Sequence, residues 1–248
     1  MLDGMVGRID VHSHLLPGID DGCEDIDESI TCARRMVEAG YTHSFCTPHI
    51  WSNLCNNSET IAPRVQNLQK ALDDAGVPMI VMPGGEMTIN RAFPGQQACD
   101  FVTYNNAGKY AIFDFWTHEM PPFFAASVRH IQSAGIQPIL AHPERIYAIQ
   151  TEPRVVDEFP TLGLLIQCNL ECLGDETRTP RLALAERWLL EDRYFLIGSD
   201  LHGADTLDKR LRGLQHAIDL VGEEQVWKLT HTNPLKLIEG RPPGAQAP

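Results

Sequence analysis

Apolar runs of strand length alternate with segments of helical period along this 248-residue chain. That alternation constrains the fold more than any other feature, because strands joined through helices must lie parallel in one sheet or barrel. Strands are predicted near 6–12, 41–47, 77–83, 110–115, 136–142, 163–169 and 194–199. The first helix is the best marked: Asp25 caps it, Glu28 completes a capping box, and Ile26, Ile30, Ala33 and Val37 form a buried stripe that stops at Gly40. Thr179-Pro180 opens another through Leu182 to Leu190, and Leu207, Leu211, Leu214, Ile218 and Val221 mark a long late one. Further helices are predicted near 59–75, 122–134, 153–159 and 224–239. Seven strands in this order predict a (β/α) barrel, and the length suits one such domain over residues 1–240. The remainder, 241–248, is rich in Pro, Gly and Ala and is expected to be a disordered tail.

The carboxyl ends of barrel strands are where distant residues converge on an active site. In this chain those ends carry metal-competent side chains one after another. Ile9-Asp10-Val11 runs into His12 and His14, which share a face because side chains alternate along a strand. Asp200-Leu201-His202 repeats the spacing after Tyr194 to Ile197. His49, Glu86, Asp114 and His142 each close a predicted strand between them. Any single pair reads equally well as a hydrogen-bonded strand cap; six strand ends with a histidine or carboxylate each point to a metal centre.

Composition narrows the function classes. A net charge of −13 argues against nucleic-acid binding, which needs a basic face. No apolar run is long enough to span a bilayer and no leader is apparent, so no membrane insertion is expected. Seven irregularly spaced cysteines without a C-x-x-C pair fit a reducing cytoplasm. Cys172 to Arg178 has the spacing of a cysteine-phosphatase loop, but Asp175 and Glu176 inside it would repel phosphate, so that chemistry is set aside.

Four motifs, Asp10-Val11-His12-Ser13-His14, Thr47-Pro48-His49, Ala141-His142-Pro143-Glu144-Arg145 and Ser199-Asp200-Leu201-His202, resemble in order those of the polymerase and histidinol phosphatase (PHP) superfamily. Within it the chain looks most like the capsule-associated bacterial protein-tyrosine phosphatases, on His14-Leu15-Leu16-Pro17-Gly18-Ile19-Asp20-Asp21-Gly22, Gly84-Gly85-Glu86 and the His-Pro-Glu-Arg of the third motif. The resemblance extends to Thr232-Asn233-Pro234 and implies a distorted seven-stranded (β/α) TIM-like barrel. It also implies two or three divalent metal ions, manganese favoured, with iron or zinc as alternatives. By motif match His12, His14, Glu86 and Asp200 hold one ion; Glu86 bridges to a second, also held by Asp114 and His142; Asp21, His49 and His202 hold the third. Two positions depart from the family pattern: Asp114 stands where many relatives have Glu, and Ile50-Trp51 follows His49 where basic residues are common.

The implied reaction is hydrolysis of phosphotyrosine by metal-activated hydroxide, on the tail of a bacterial tyrosine kinase controlling capsule or exopolysaccharide synthesis. Three divalent ions outweigh four carboxylates by about two charges, enough to draw a phosphate dianion to an acidic protein. Arg145 is the candidate phosphate clamp and Arg210 a second, against readings as a salt bridge with Glu144 and a solvated helix face. Asp20 is expected to form a turn or support a ligand, and Trp51 and Trp116 to make either an aromatic wall or rim packing. His118 is a candidate for the mouth; His43, His130, His216 and His231 read as structural. Three rival readings stand: a small-molecule phosphoesterase of the histidinol-phosphatase kind, a metal-dependent amidohydrolase, and a non-catalytic metal-binding module of polysaccharide assembly. A homo-oligomer is compatible with the surface helices.

Overall fold

Every strand pairing among the described residues is parallel. The structure, a computed structural model, describes residues 7–240; the tail expected beyond 240 lies outside them. Strands β1 (Arg8–Ser13), β2 (Tyr41–Cys46) and β4 (Ile80–Pro83) form a three-stranded sheet in the order β1-β2-β4. Strands β3 (His49–Ile50), β5 (Glu86–Thr88), β6 (Tyr110–Asp114), β7 (Gln137–Ala141), β8 (Leu165–Asn169) and β9 (Leu196–Gly198) form a curled six-stranded sheet in that order.

The strands predicted over 41–47 and 77–83 are β2 and β4, and each is followed by a further short strand, β3 or β5, in the other sheet. Pro48, with no N–H to give a ladder, separates β2 from β3, and Gly84-Gly85 separates β4 from β5. Backbone bonds continue across both gaps, from Gly84 N to Cys46 O at 2.9 Å and from Glu86 N to Pro48 O at 3.0 Å. At the other edge Asp200 N donates to His12 O at 2.7 Å and His14 N to Leu201 O at 2.8 Å, so β1 meets the chain just beyond β9.

The helices are α1 (Ile26–Glu38), α2 (Ser58–Asp74), α3 (Phe124–Ser133), α4 (Tyr147–Thr151), α5 (Phe159–Leu162), α6 (Leu170–Leu173), α7 (Pro180–Leu190), α8 (Leu207–Val221), α9 (Glu223–Trp227) and α10 (Asn233–Glu239). Asp25 caps α1 by accepting from Glu28 N at 2.9 Å, while Glu28 reaches back to Glu24 N and across to Ala204 N. Thr179 caps α7 as its position predicts. The helix expected near 153–159 is a 3₁₀ segment, Pro153–Glu158, leading into α5. The one expected over 224–239 is divided by a π-helical turn, Lys228–Thr232, that accommodates the ring of Pro234.

Alternation along the strands builds two apolar layers. Tyr110 and Ile112 of β6 join Ile139, Ala141, Phe45, Met82, Leu196, Ile9 and Val11, with Leu235 and Leu237 of α10, in one cluster that draws on strands of both sheets. Ala111 and Phe113 face the other way, into the layer shared with the helices. The inner cluster floors the centre described next. Among the described residues no helix is long and apolar enough to cross a membrane.

Candidate metal centre

β1 pairs Asp10 with Ser44 and Ser13 with Cys46, so three steps on β1 match two on β2. His12 lies within this irregular stretch and His14 just past it, at the carboxyl end of β1. Each ring has one nitrogen tied down. His12 Nδ1 pairs with Gln167 Oε1 at 3.0 Å, and His14 Nδ1 with Asp20 Oδ2 at 2.7 Å. Their Nε2 atoms face a common space, 3.4 Å from Asp200 Oδ1 in both cases and 3.3 and 3.6 Å from Glu86 Oε2.

Glu86 is the hub. Gly84 and Gly85 make its approach possible, since a Cβ on Gly85 would lie 2.7 Å from Val102 Cγ1. Its Oε1 lies 2.9 Å from His142 Nε2 and its Oε2 3.0 Å from His49 Nδ1. Toward the rim, Asp21 Oδ1 stands 3.4 Å from His49 Nε2 and 3.6 Å from His202 Nε2. Three groups of donors result, each with atoms within 4.8 Å of one another: His12, His14 and Asp200; His12, Glu86 and His142; and His14, Asp21, His49 and His202.

The fit of this pocket to a cation rests on what its atoms lack. His12 Nε2, His14 Nε2, His49 Nδ1 and Glu86 Oε2 are buried and make no hydrogen bond, although they converge. Buried polar atoms are almost always satisfied, so a converging set of orphans fits a divalent ion bound among them. Backbone strain points the same way. His142 has φ 33° and Asp200 φ 51°, left-handed values that non-glycine residues adopt at a cost of about 1–3 kcal/mol each.

Without an ion the centre is an array of mutually dependent charges. Burial alone would lower the pKa of His12 and His14, but the carboxylates of Glu86, Asp200 and Asp20 outweigh it and raise both. Burial would raise Glu86 and Asp200, yet the imidazoles hold both well below the usual carboxylate range. His142 and His202 are lowered, burial being the leading cause. Asp20 is drawn down to about 2 against its own burial by hydrogen bonds from His14 and the amides of His49 and Gly22. It supports His14 as a turn-forming neighbour, as the sequence suggests.

Asp114 is set beside these groups. Burial and the nearby Glu86 raise its carboxyl to about 7, and its oxygens accept from Thr88 Oγ1 at 2.6 Å and from Trp116 Nε1. Arg145, in a 3₁₀ turn after His142, pairs with Asp200, lies 4.0 Å from Glu171 and rests 5.2 Å over the Trp116 ring. It lines a cavity of about 290 Å³ together with Asp21, His49, Glu86, His142, Asp200 and His202. Arg210 differs. Only 3% exposed, it spends its guanidinium on the carbonyls of Ser199, Asp200 and Thr206, which fits a brace under Asp200 better than a contact with phosphate. His118 is exposed and stacks on Tyr147 5.2 Å away, outside this cavity. Cys172 is buried and Arg178 pairs with Glu186 on the surface, so the cysteine-phosphatase spacing does not form a loop.

Three supporting residues escaped the sequence reading. Gln167 orients His12, Asn169 donates to Asp200 at 2.8 Å, and Asp10 accepts from Ser199 N at 2.9 Å. The signal was present for two of them: Gln167 and Asn169 are polar at alternate positions of an otherwise apolar strand.

Parallel strands whose ends gather five histidines and several carboxylates around one cavity define an α/β protein with a metal-competent centre. The chain belongs to the family described as capsular polysaccharide synthesis, CpsB/CapC, whose model matches residues 8–239. It is 27% identical over 235 residues to the tyrosine-protein phosphatase YwqE of Bacillus subtilis, covering 92% of this chain and 91% of that protein. To the tyrosine-protein phosphatase CpsB of Streptococcus pneumoniae it is 24% identical over 243 residues, covering 93% and 98%. Among solved structures, one from the work on YwqE of B. subtilis and CpsB of S. pneumoniae, described as unique metal-dependent tyrosine phosphatases, superposes with a TM-score of 0.85. It is 25% identical and the match covers 97% of this chain and 98% of that one.

Proposed function

We propose that this chain is a metal-dependent phosphatase that hydrolyses phosphotyrosine on a protein substrate. The observation that carries the reading is one cavity shared by orphaned imidazole and carboxylate atoms and the Arg145 guanidinium. Similarity over nearly the whole chain to proteins named tyrosine-protein phosphatases supports it. The family description supports a role in capsular polysaccharide synthesis, and we take the tail of a bacterial tyrosine kinase that controls it as the substrate.

In this reading His12, His14 and Asp200 would hold one ion, Glu86 and His142 another, and Asp21, His49 and His202 a third. A donor set of imidazole and carboxylate without thiolate favours manganese, with iron or zinc as alternatives. Divalent ions there supply Lewis-acid stabilisation of phosphoryl oxygens and bring the pKa of water down toward about 7. The chain's own residues do the rest. Arg145 offers a planar pair of donors to phosphate oxygens, and Asp200 and Glu171 keep it turned to the cavity until substrate arrives. Gln167 and Asp20 fix the ring orientations of His12 and His14, so no rotation is needed when the centre fills. We further read the two sheets as one distorted seven-stranded barrel, with β2–β3 and β4–β5 as single broken strands and the bonds of His12 and His14 to Asp200 and Leu201 closing it. Five of the seven cysteines are buried as free thiols, which fits a cytoplasmic protein.

The test is manganese-dependent phosphate release from a phosphotyrosyl peptide, run beside a phosphoseryl peptide and histidinol phosphate. Turnover of phosphotyrosine that disappears in His12→Ala is the expected result. Turnover of histidinol phosphate alone would replace this reading with a small-molecule phosphoesterase.

A further inference from the structure

Two indoles border the cavity over the centre, Trp51 and Trp116. Trp51 stacks on His49 with centroids 4.0 Å apart and planes 16° apart, and Trp116 lies 5.6 Å from His142. Their ring nitrogens meet at one carboxylate. Trp51 Nε1 donates to Thr88 Oγ1 at 3.1 Å, the Thr88 hydroxyl in turn donates to Asp114 Oδ1 at 2.6 Å, and Trp116 Nε1 donates to Asp114 Oδ2. The only two hydrogen-bonding groups of these side chains are thereby used away from the cavity, and what remains toward it is π-surface. The Arg145 guanidinium, 5.2 Å over the Trp116 ring, places a phosphate-binding cation beside that surface.

We propose that Trp51 and Trp116 are the walls of a slot for the aryl ring of an aryl phosphate, and that Thr88 and Asp114 are the positioning residues that hold both indoles in place. This rests on the phosphatase reading for its phosphate-bearing substrate and adds the means of choosing an aromatic ester over an alkyl one. A planar ring against either indole gains offset π contact that a narrow alkyl chain does not, and both indoles are held by hydrogen bonds before binding, so little rotamer entropy is lost. Asp114 carries this role through both carboxylate oxygens, one accepting from Thr88, the partner of Trp51, and the other from Trp116 itself, and it stands outside the clustered donors.

The test uses manganese-loaded protein and two non-hydrolysable probes with the same head group, phenylphosphonate and methylphosphonate, their dissociation constants measured by calorimetry. The wild type is expected to prefer the phenyl probe, and Trp51→Leu and Trp116→Leu each to cut that preference roughly three- to tenfold. Thr88→Val, which leaves every candidate ligand in place, is expected to reduce the preference less and to move the Trp51 indole N–H resonance, in metal-free protein as well as loaded. A preference that survives both leucine variants overturns the slot; an unmoved Trp51 resonance in Thr88→Val overturns the brace. Failure of the underlying reading looks different. A protein that keeps the aryl preference but releases no phosphate from a phosphotyrosyl peptide retains the slot and loses the phosphatase assignment, whereas turnover with equal binding of the two probes removes the slot alone.

Discussion

Arg145 and Arg210 look interchangeable as candidate phosphate contacts, and their surroundings separate them. Arg145 stands at a cavity with a quarter of its side chain exposed, while Arg210 is sealed against backbone carbonyls. Arg145→Ala is therefore expected to lower kcat/KM on a phosphotyrosyl peptide about a hundredfold with little change in the urea midpoint. Arg210→Ala leaves buried carbonyls of Ser199 and Asp200 unpaired and is expected to cost about 3 kcal/mol of stability. Equal losses of stability in the two variants would contradict the division. Glu144, next to Arg145, offers a pH test. Burial lifts its carboxyl from 4.5 to about 7, against hydrogen bonds from Asn169 N and Tyr194 Oη. Below about pH 4.5 it is protonated in the folded and unfolded chain alike and costs nothing. Between there and about 7 the unfolded chain alone releases the proton, so folding loses stability as pH rises, by about 3 kcal/mol in all. Glu144→Gln imitates the protonated form. Denaturant unfolding of metal-free protein is expected to show the variant gaining on wild type from pH 5 to about 7.5; a constant difference would mean the carboxyl ionises in the fold without penalty.

At the scale of elements, Gly22 ties the loop after β1 to the centre. A Cβ there would lie 2.2 Å from His14 O, a backbone atom that cannot yield without moving β1's end, and Cys23 N donates to that same carbonyl at 3.1 Å. Gly22→Ala is expected to lift Asp20 and Asp21 away from His14 and His49, giving protein that folds but binds at least one divalent ion fewer by elemental analysis. Unchanged stoichiometry would show the rim group is not a site. The loop illustrates how much was legible beforehand. Apolar runs located the predicted strands because these strands are buried on both faces, and apolar periodicity and caps located α1, α7 and α8, which bury one face. The breaks at Pro48 and Gly84-Gly85 were visible as residues but not as breaks, since their effect depends on which strand lies alongside. The bulge in β1 left no mark at all: it is a mismatch between two strands, and neither carries it alone. The centre divides likewise. His12, His14, His49, His142 and Asp200 announced themselves by chemistry at strand ends, whereas Gln167 and Asn169 are ordinary amides until a histidine and an aspartate stand opposite them. The surroundings of Arg210 were not legible, because helical position says nothing of the carbonyls packed beneath it.

For the molecule as a whole, the centre sets how stability depends on metal and on pH together. In metal-free protein the burial of His12 and His14 works against their charge, but Glu86, Asp200 and Asp20 hold both imidazoles protonated above their usual 6.5. A raised histidine contributes stability that is complete below 6.5 and is lost as pH climbs through the folded-state value. Glu86 and Asp200, held well below the carboxylate range, stay ionised throughout and add no slope there. Metal reverses the trend, because an ion takes the Nε2 atoms only after their protons leave, so its binding releases protons and tightens with rising pH. An ion at a hundred times its dissociation constant adds about 2.7 kcal/mol, or about 5–11 °C in Tm for a domain of this size. The increment between manganese-loaded and chelator-treated protein is thus expected to widen from about pH 6 to 8.5 as the metal-free curve falls and the loaded one rises. Thermal scans across that range, with proton release on manganese addition recorded in parallel, check both halves. An increment independent of pH and a titration that releases no protons would mean that His12 and His14 bind no metal, and that their raised basicity serves only to neutralise the buried carboxylates.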